Sequence, residues 1–125
     1  MPAKILVIED HTDTSQVITL LLGVEGITVS TAADGYEGLD KANAERPDLI
    51  ITDLMMPNLD GIQMIKRLRN QAAFVKVPIL ALTAYAEEMA SEAMEAGADR
   101  VVAKSENLDT LIDTVKGLLQ TEGFH

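Results

Sequence analysis

Residues 4–10 read KILVIED and residues 48–53 read DLIITD, and these two stretches decide the fold. Each contains a short apolar run, Lys4–Ile8 in the first and Asp48–Thr52 in the second, that leads directly into a carboxylate. Apolar runs of this length without polar alternation are typical of strands in a parallel sheet covered on both faces. We therefore predict two buried strands whose carboxyl ends are acidic.

Three further strands are predicted along the chain. Val77–Leu82 and Arg100–Ala103 are apolar runs of the same kind, which predicts buried strands. Ile27–Thr31 alternates more between apolar and polar residues, which favours a place near a sheet edge.

Helical patterns fill the gaps between the strands. Asp34 with Glu37, and Asp60 with Gln63, each resemble a capping box at a helix start. Ala86–Ala96 is rich in the strong helix formers Ala, Glu and Met. The first and last helices are predicted from apolar residues at helical spacing, namely Val17, Ile18, Leu21 and Leu22 after the polar starters Thr12–Asp13, and Leu108, Leu111, Ile112, Val115 and Leu119.

This alternation of strands and helices predicts an α/β fold with helices on both faces of a parallel sheet. For five strands the leading candidate is the doubly wound, flavodoxin-like order 2-1-3-4-5 with five helices. A length of 125 residues fits one domain over residues 1–125. Ligands of such sheets bind beyond the carboxyl ends of the strands, near the switch point between strands 1 and 3.

Composition excludes several classes of function. Ten Lys and Arg against twenty Asp and Glu give a net charge of -10, which disfavours nucleic acid or an anionic membrane as a direct partner. With no cysteine there is no disulfide, thiolate metal site or thiol nucleophile, and 3% aromatic residues leave little for a base-stacking surface. No apolar run approaches the roughly 20 residues of a membrane span, and the N-terminus lacks the layout of a signal peptide. We expect a cytoplasmic protein.

Polar residues follow the predicted strands at the sheet edge where ligands bind. Glu9, Asp10 and Asp53 end strands 1 and 3, which are neighbours in the proposed order. Three crowded carboxylates raise one another's pKa values unless a cation joins them. Oxygen ligands favour a hard ion, so the sequence predicts a site for Mg²⁺, with Mn²⁺ as an alternative. His11 follows the acidic pair, but we expect a solvated side chain there and assign it no chemistry.

Thr83 and Lys104 come from strands 4 and 5 and complete the predicted pocket with a hydroxyl and a positive charge. Three carboxylates and one lysine sum to a charge of -2, which a divalent cation brings to zero. A phosphoryl group attached to one carboxylate then has the metal, the lysine and the hydroxyl available for its oxygens. The pocket is therefore suited to phosphoryl transfer to a carboxylate, in which positioning and charge neutralisation supply most of the catalysis.

Four motifs in order resemble the receiver domain of bacterial response regulators: ILVIED, DLMMPNLDG from Asp53 to Gly61, LTA around Thr83, and GADRVVAK ending at Lys104. The resemblance covers essentially the whole chain. It implies that a histidine kinase or a histidine phosphotransfer protein phosphorylates Asp53. It also implies that Glu9, Asp10, Asp53 and the backbone carbonyl of Met55 bind Mg²⁺.

The resemblance further implies how the signal leaves the domain. Thr83 and Lys104 would contact the phosphoryl oxygens, and Thr83 would follow the phosphate inward. The surface formed by helix 4, strand 5 and helix 5 would then change shape and be read by another protein. The domain would not be an enzyme acting on a separate substrate, and it would be a monomer or a weak homodimer.

Two positions depart from the family pattern. Val101 stands three residues before the lysine, where receivers commonly carry an aromatic ring that moves with the threonine. Ser105 follows the lysine, where a proline with a cis bond is usual; because a cis bond without proline costs about 2.5–4 kcal/mol, we expect a trans peptide with a rearranged loop, or a strained one. Met55 and Tyr85 flank the acceptor, and since both are bulky and not acidic we predict slow spontaneous dephosphorylation.

Three other functions remain open from the residues alone. A haloacid-dehalogenase-type phosphatase wants an Asp-x-Asp pair and usually a cap domain, whereas this chain has adjacent Glu9 and Asp10 and no residues for a cap. A flavin carrier wants a loop rich in Ser, Thr and Gly after strand 1. A pseudo-receiver keeps the fold as a binding module without the chemistry, and it competes only if Asp53 or Lys104 is inaccessible.

Overall fold

The computed structural model describes residues 3–121, in which β-strands alternate with α-helices. The strands are β1 Lys4–Ile8, β2 Thr28–Ala32, β3 Leu49–Asp53, β4 Ile79–Thr83 and β5 Arg100–Ala103. The helices are α1 Thr12–Val24, α2 Gly35–Glu45, α3 Gly61–Arg69, α4 Ala86–Ala96 and α5 Leu108–Thr121, and a short 3-10 helix spans Ala72–Phe74.

The five strands form one parallel sheet in the order β2-β1-β3-β4-β5, which confirms the predicted flavodoxin-like topology. The direction of winding reverses between β1 and β3, so a crevice opens beyond their carboxyl ends. Ile8 pairs with Thr52 across these two strands. The register therefore brings Glu9 and Asp53 to the same edge of the sheet.

Two apolar layers cover the sheet. On one face, side chains of β1, β3 and β4 such as Ile8 and Ile50 pack against α2, α3 and α4. On the other face, Val7 and Ile51 pack against α1 and α5. Each fully buried Leu or Ile stabilises the fold by about 1.5–3 kcal/mol, so both faces hold the strand ends in a fixed register.

β1 and β5 have the predicted bounds, whereas the bounds of β2, β3 and β4 differ from the predicted ones by one or two residues. β3 begins at Leu49, and the preceding Asp48 accepts a 2.8 Å hydrogen bond from the backbone N–H of Lys4 through its carboxylate. β4 begins after Pro78, which has no N–H to contribute to a ladder. β2 begins at Thr28, one residue later than predicted.

The prediction that Arg100–Ala103 is a buried strand was partly wrong. β5 is the second edge of the sheet, with Arg100 exposed, Val102 buried and its other two residues half-buried. β2 forms the opposite edge, as its alternation predicted. An edge strand is covered less completely than a central one, and a run of three apolar residues alone does not reveal that difference.

Both predicted capping boxes mark helix starts. The Asp34 carboxylate accepts a 2.9 Å hydrogen bond from the N–H of Glu37, and the Asp60 carboxylate accepts one of 2.9 Å from the N–H of Gln63. Residue 11 is the N-cap of α1, and its side chain makes no capping hydrogen bond. α1 thus begins directly beside the acidic end of β1.

Candidate functional site

The site lies at the carboxyl ends of β1, β3, β4 and β5. Asp53 is the last residue of β3, and Glu9 follows the last residue of β1. Glu9 is held in place because its backbone N–H donates a 2.9 Å hydrogen bond to the carbonyl of Ala32. The two carboxylates are 4% and 3% exposed as whole residues, which is rare for charged groups unless they are paired.

Asp53 has both carboxylate oxygens engaged. Its Oδ1 accepts a 3.1 Å hydrogen bond from the backbone N–H of Met55, and its Oδ2 lies 2.9 Å from Nζ of Lys104. Charged hydrogen bonds of this kind fix an acceptor's orientation. Asp53 is thereby held in the wall of a cleft at this edge of the sheet.

Gly61 lets the chain close tightly around Asp53. Its N–H donates to the carbonyl of Leu54, and a Cβ at this position would lie 2.7 Å from Cα of Leu54 and still closer to the carbonyl oxygen of Asp53. Only glycine permits this approach, which seats the start of α3 against the end of β3. The glycine of the predicted motif therefore shapes the backbone behind the carboxylate.

Lys104 bridges two carboxylates from β1 and β3. Its Nζ lies 2.7 Å from Oε1 of Glu9 as well as 2.9 Å from Oδ2 of Asp53, and its side chain is 22% exposed. The backbone N–H of Lys104 donates a 2.9 Å hydrogen bond to the carbonyl of Thr83, which fixes the residue as it leaves β5. The ammonium partly neutralises the buried negative charge.

The pKa values of Glu9 and Lys104 are both raised above their ordinary values. Burial raises the pKa of Glu9 above its ordinary value of 4.5, against the opposing effect of hydrogen bonds from Lys104 and the N–H of His11. Burial by itself lowers the pKa of Lys104, but the hydrogen bonds and charges of Glu9 and Asp53 outweigh it and raise the pKa above 10.5. Lys104 is therefore firmly cationic, while the charge of Glu9 carries a cost.

The predicted cation ligands come together. One oxygen from each of Glu9, Asp10 and Asp53, and one ring nitrogen of His11, all lie within 4.8 Å of one another. Oδ1 of Asp10 is buried and makes no hydrogen bond within the described chain. An orphaned acceptor among acidic neighbours fits a divalent cation, which would satisfy it and offset the charge.

A cleft of about 280 Å³ opens onto this group of residues. Its walls are formed by His11, Asp53, Met55, Ala84, Tyr85 and Lys104. Met55 and Tyr85 are 55% and 52% exposed, so their side chains form the rim. The volume is ample for a phosphoryl group and a few water molecules, since one water occupies about 30 Å³ in the liquid.

Thr83 is the last residue of β4, and its hydroxyl is hydrogen-bonded to the backbone of the β4–α4 loop. The residue is fully buried, and its Oγ1 accepts a 3.1 Å hydrogen bond from the N–H of Tyr85. It does not form part of the cleft wall in the described structure. The hydroxyl is thus tied to the β4–α4 loop in this state of the protein.

Val101 and Ser105, which depart from the family pattern, have neither a cis peptide bond nor a positive φ angle. Within residues 3–121 no peptide bond is cis, so the bond between Lys104 and Ser105 is trans, as expected where proline is absent. Val101 is half-buried and packs against the apolar layer that includes Ala93 and Ala98. A small side chain fills this space without a ring.

His11 has a largely solvated side chain, as predicted, but the sequence did not reveal its contacts with the acidic pair. Its ring is 68% exposed, yet Nδ1 lies 3.2 Å from Oε2 of Glu9 and 3.4 Å from Oδ1 of Asp10. The available signal was its position directly after the acidic pair. Sequence adjacency alone does not say whether a side chain turns towards its neighbours or into solvent.

Comparison with known proteins agrees with this geometry. Residues 5–116 match the family model described as response regulator receiver domain. The chain is 42% identical over 124 residues to the alkaline phosphatase synthesis transcriptional regulatory protein PhoP of Bacillus subtilis, which covers 96% of this chain and 50% of that protein. The chain thus spans about half the length of this curated relative.

Two solved structures resemble the chain over nearly its whole length. Chemotaxis response regulator CheY4 of Vibrio cholerae is 35% identical with a TM-score of 0.89, and the match covers 94% of this chain and 99% of that one. The receiver domain of sensor histidine kinase PA1611 from Pseudomonas aeruginosa is 30% identical with a TM-score of 0.89, covering 96% and 99%. That crystal structure has a magnesium ion coordinated in its active site cleft. Within residues 3–121 of the present chain, none of the helices has the length and apolar character of a membrane span.

Proposed function

Because this chain belongs to the family of response regulator receiver domains, which act in phosphorylation-dependent signalling, we propose that Asp53 is its phosphoacceptor. The proposal rests on one observation above the others. Asp53 is buried at the carboxyl end of β3, beside Lys104 and next to a carboxylate pair, and it still lines an open cleft. A carboxylate so placed is both oriented and reachable.

The proposed reaction forms an acyl phosphate. A carboxylate oxygen of Asp53 attacks the phosphorus of a phosphohistidine on a histidine kinase or a histidine phosphotransfer protein. The bond between phosphorus and the imidazole nitrogen breaks, and that nitrogen keeps the electron pair. Lys104 would then pair with a phosphoryl oxygen in place of the carboxylate oxygen that it now contacts.

Glu9, Asp10 and Asp53, together with the backbone carbonyl of Met55, are proposed to hold Mg²⁺, with Mn²⁺ as an alternative. When bound, the ion supplies positive charge that offsets the phosphoryl oxygens and the three carboxylates. Oδ1 of Asp10 supports this assignment, since it is buried and accepts no hydrogen bond within the described chain, although Nδ1 of His11 lies 3.4 Å away.

The signal is proposed to leave through Thr83 and the face formed by α4, β5 and α5. Phosphorylation would release the Thr83 hydroxyl from the N–H of Tyr85 and turn it towards the phosphoryl group. Val101 has no ring to accompany that movement, so the shift would pass mainly through the β4–α4 loop. Phosphate needs to favour the active state by a few kcal/mol, about 5.5 for a nearly complete population shift.

Residues 1–125 would act as one receiver domain that is read by a protein partner in the cytoplasm, as a monomer or a weak homodimer. A downstream protein would bind the α4–β5–α5 face. The family match disfavours the phosphatase and flavin-carrier alternatives. The pseudo-receiver alternative requires an inaccessible Asp53 or Lys104, whereas both residues line the cleft.

Intact-mass spectrometry tests the assignment of Asp53. The folded protein is incubated with acetyl phosphate and Mg²⁺, and separately with a phosphorylated histidine phosphotransfer protein. We expect a gain of one phosphoryl group that is absent from Asp53→Asn and from reactions with EDTA. Asp40→Asn, which changes an exposed carboxylate on α2, is the matched control and should be labelled like the native chain. Labelling of Asp53→Asn, or none of the native protein with either donor, overturns the proposal.

A further inference from the structure

His11 is fixed against the acidic site by its own backbone. As the N-cap of α1 it has φ -88° and ψ 109°, and its backbone N–H donates a 3.1 Å hydrogen bond to Oε2 of Glu9. The ring nitrogen Nδ1 lies 3.2 Å from the same oxygen. These two contacts with one carboxylate oxygen keep Nδ1 beside the site, although 68% of the His11 side chain is exposed to solvent.

The ring nitrogen belongs to the same group of atoms as the carboxylate oxygens. A ring nitrogen of His11 and one oxygen each of Glu9, Asp10 and Asp53 lie within 4.8 Å of one another, and Nδ1 is 3.2 Å from Oε2 of Glu9 and 3.4 Å from Oδ1 of Asp10. Two ligands on opposite sides of an ion, each at about 2.1 Å, are about 4.2 Å apart. The widest separation in the group therefore exceeds this spacing by no more than about 0.6 Å, and the His11 side chain is 68% exposed.

An imidazole changes which ions such a site prefers. Mg²⁺ takes oxygen ligands and gains little from a ring nitrogen, whereas Zn²⁺, Ni²⁺ and Cu²⁺ bind imidazole well. Metal-binding histidines use a neutral ring nitrogen, and either Nδ1 or Nε2 can serve. A site with three carboxylates and one imidazole is therefore of mixed character.

We propose that His11 is a fourth protein ligand of the cation site and that it gives the receiver a preference for first-row transition-metal ions such as Ni²⁺ over Mg²⁺. The inference rests on the proposed cation site of Glu9, Asp10 and Asp53, and it adds a residue and a selectivity to that site. Regulation by transition-metal availability would follow, because an ion held by His11 would occupy the place beside the phosphoacceptor.

Competing affinities test the proposal on the full, tag-free chain. Dissociation constants for Ni²⁺ and for Mg²⁺ are measured by calorimetry at one fixed pH for the native protein, for His11→Ala and for His125→Ala. The second variant removes the chain's other histidine and is the matched control. Because the three carboxylates can bind either ion, the quantity that decides is the ratio of the two constants and its change on substitution.

We expect the preference for Ni²⁺ over Mg²⁺ to fall at least tenfold in His11→Ala and to stay unchanged in His125→Ala. With Co²⁺ bound, NMR should show a shifted, exchangeable imidazole N–H resonance that His11→Ala lacks. An unchanged ratio in His11→Ala, or a loss that follows His125 instead, overturns the role of His11. If the native protein also fails to bind Mg²⁺ and to gain phosphate from acetyl phosphate, the proposed function fails with it; if it still does both, only the inference about His11 fails.

Discussion

Nζ of Lys104 lies 2.9 Å from Oδ2 of Asp53, although the two residues are 51 positions apart in the chain. They are brought together because β4 lies between β3 and β5 and all three strands end at the same edge of the sheet. The same ammonium also contacts Glu9. Lys104 is thus the counter-ion of Glu9 and Asp53 when no divalent cation is bound. When a divalent cation binds, it and the Lys104 ammonium both contact these carboxylates.

Replacing Lys104 with methionine should separate the contribution of the lysine charge to stability from that of a bound divalent cation. In the absence of metal, Glu9 and Asp53 would lose their common cation, and we expect the free energy of unfolding to fall by about 1–3 kcal/mol. Mg²⁺ should restore much of this loss, because removal of a positive charge favours binding of a divalent cation to the same oxygens. Urea unfolding with EDTA and with Mg²⁺ measures both values.

Lys116→Met is the control for the lysine substitution. Lys116 pairs with Glu25 on the surface, where ion pairs contribute little. Its unfolding should be close to that of the native chain, with no special response to Mg²⁺. Equal behaviour of the two variants would contradict the counter-ion role of Lys104.

Glu9→Gln should reveal the raised pKa of Glu9 through the pH dependence of stability. The unfolded carboxyl titrates near 4.5 and the folded one at higher pH, so between these values the folded chain binds more protons than the unfolded chain. The native protein therefore loses stability as pH rises through this window. Glutamine does not titrate. The free energy of unfolding of the variant, relative to that of the native chain, should therefore rise with pH up to the folded pKa of Glu9 and stay constant above it.

Parallel urea titrations across this pH range in EDTA measure the effect, and the same series in Mg²⁺ is the control. A bound divalent cation offsets the charge of Glu9, so the dependence on pH should be weaker there. A difference between variant and native chain that does not change with pH would show that burial of Glu9 does not raise its pKa.

The sequence patterns correctly predicted the sheet order and the common edge at which Glu9, Asp10 and Asp53 lie, because apolar runs and strand ends are local features. The prediction of burial failed where the exposure of a strand depends on residues distant in the chain. Arg100–Ala103 reads like a central strand, yet no strand follows β5 at that side of the sheet in the described chain. The start of β4 shifted at Pro78, which has no N–H to contribute to the ladder.

Side-chain directions were the part that the sequence could not supply. The contact of Thr83 with a phosphoryl group stays a prediction, and the sequence did not indicate that its hydroxyl accepts a hydrogen bond from the N–H of Tyr85. Arg69 links the end of α3 to the α4–β5 turn, through Asp99 at 2.9 Å and the carbonyl of Gly97 at 3.0 Å, and no local pattern indicates that contact. Such contacts depend on rotamers chosen among neighbours that are distant in sequence.

Gly61→Ala tests how closely α3 must approach the phosphoacceptor. The added Cβ would collide with the backbone of Asp53 and Leu54, and backbone cannot yield as a flexible side chain can. We expect a loss of about 1–3 kcal/mol in the free energy of unfolding and slower labelling of Asp53 by acetyl phosphate. Denaturant unfolding and the mass assay measure the two effects.

Gly117→Ala is the matched substitution in α5, where an added Cβ would meet no described atom within 4 Å beyond its chain neighbours and the nearby backbone of its own helix. Alanine should raise stability there by about 0.5–1 kcal/mol, since glycine disfavours a helix interior. Labelling should be unaffected. A Gly61→Ala protein as stable as the native chain would mean that the end of β3 adapts to the extra methyl group.

Tyr85→Ala tests whether the rim of the cleft sets the lifetime of the phosphorylated state. Tyr85 and Met55 line the same cleft as Asp53, and neither side chain carries an acid or amide that could position an attacking water molecule. A bulky rim excludes water from the acyl phosphate, so hydrolysis of the native phosphoprotein should be slow. Removing the ring should speed phosphate loss several-fold, measured as the decay of the phosphorylated mass after the donor is removed.

Tyr36→Ala is the control, because Tyr36 is similarly exposed on α2 and contacts Arg67 instead of the cleft. If both variants lose phosphate at the native rate, Tyr85 does not shield the adduct.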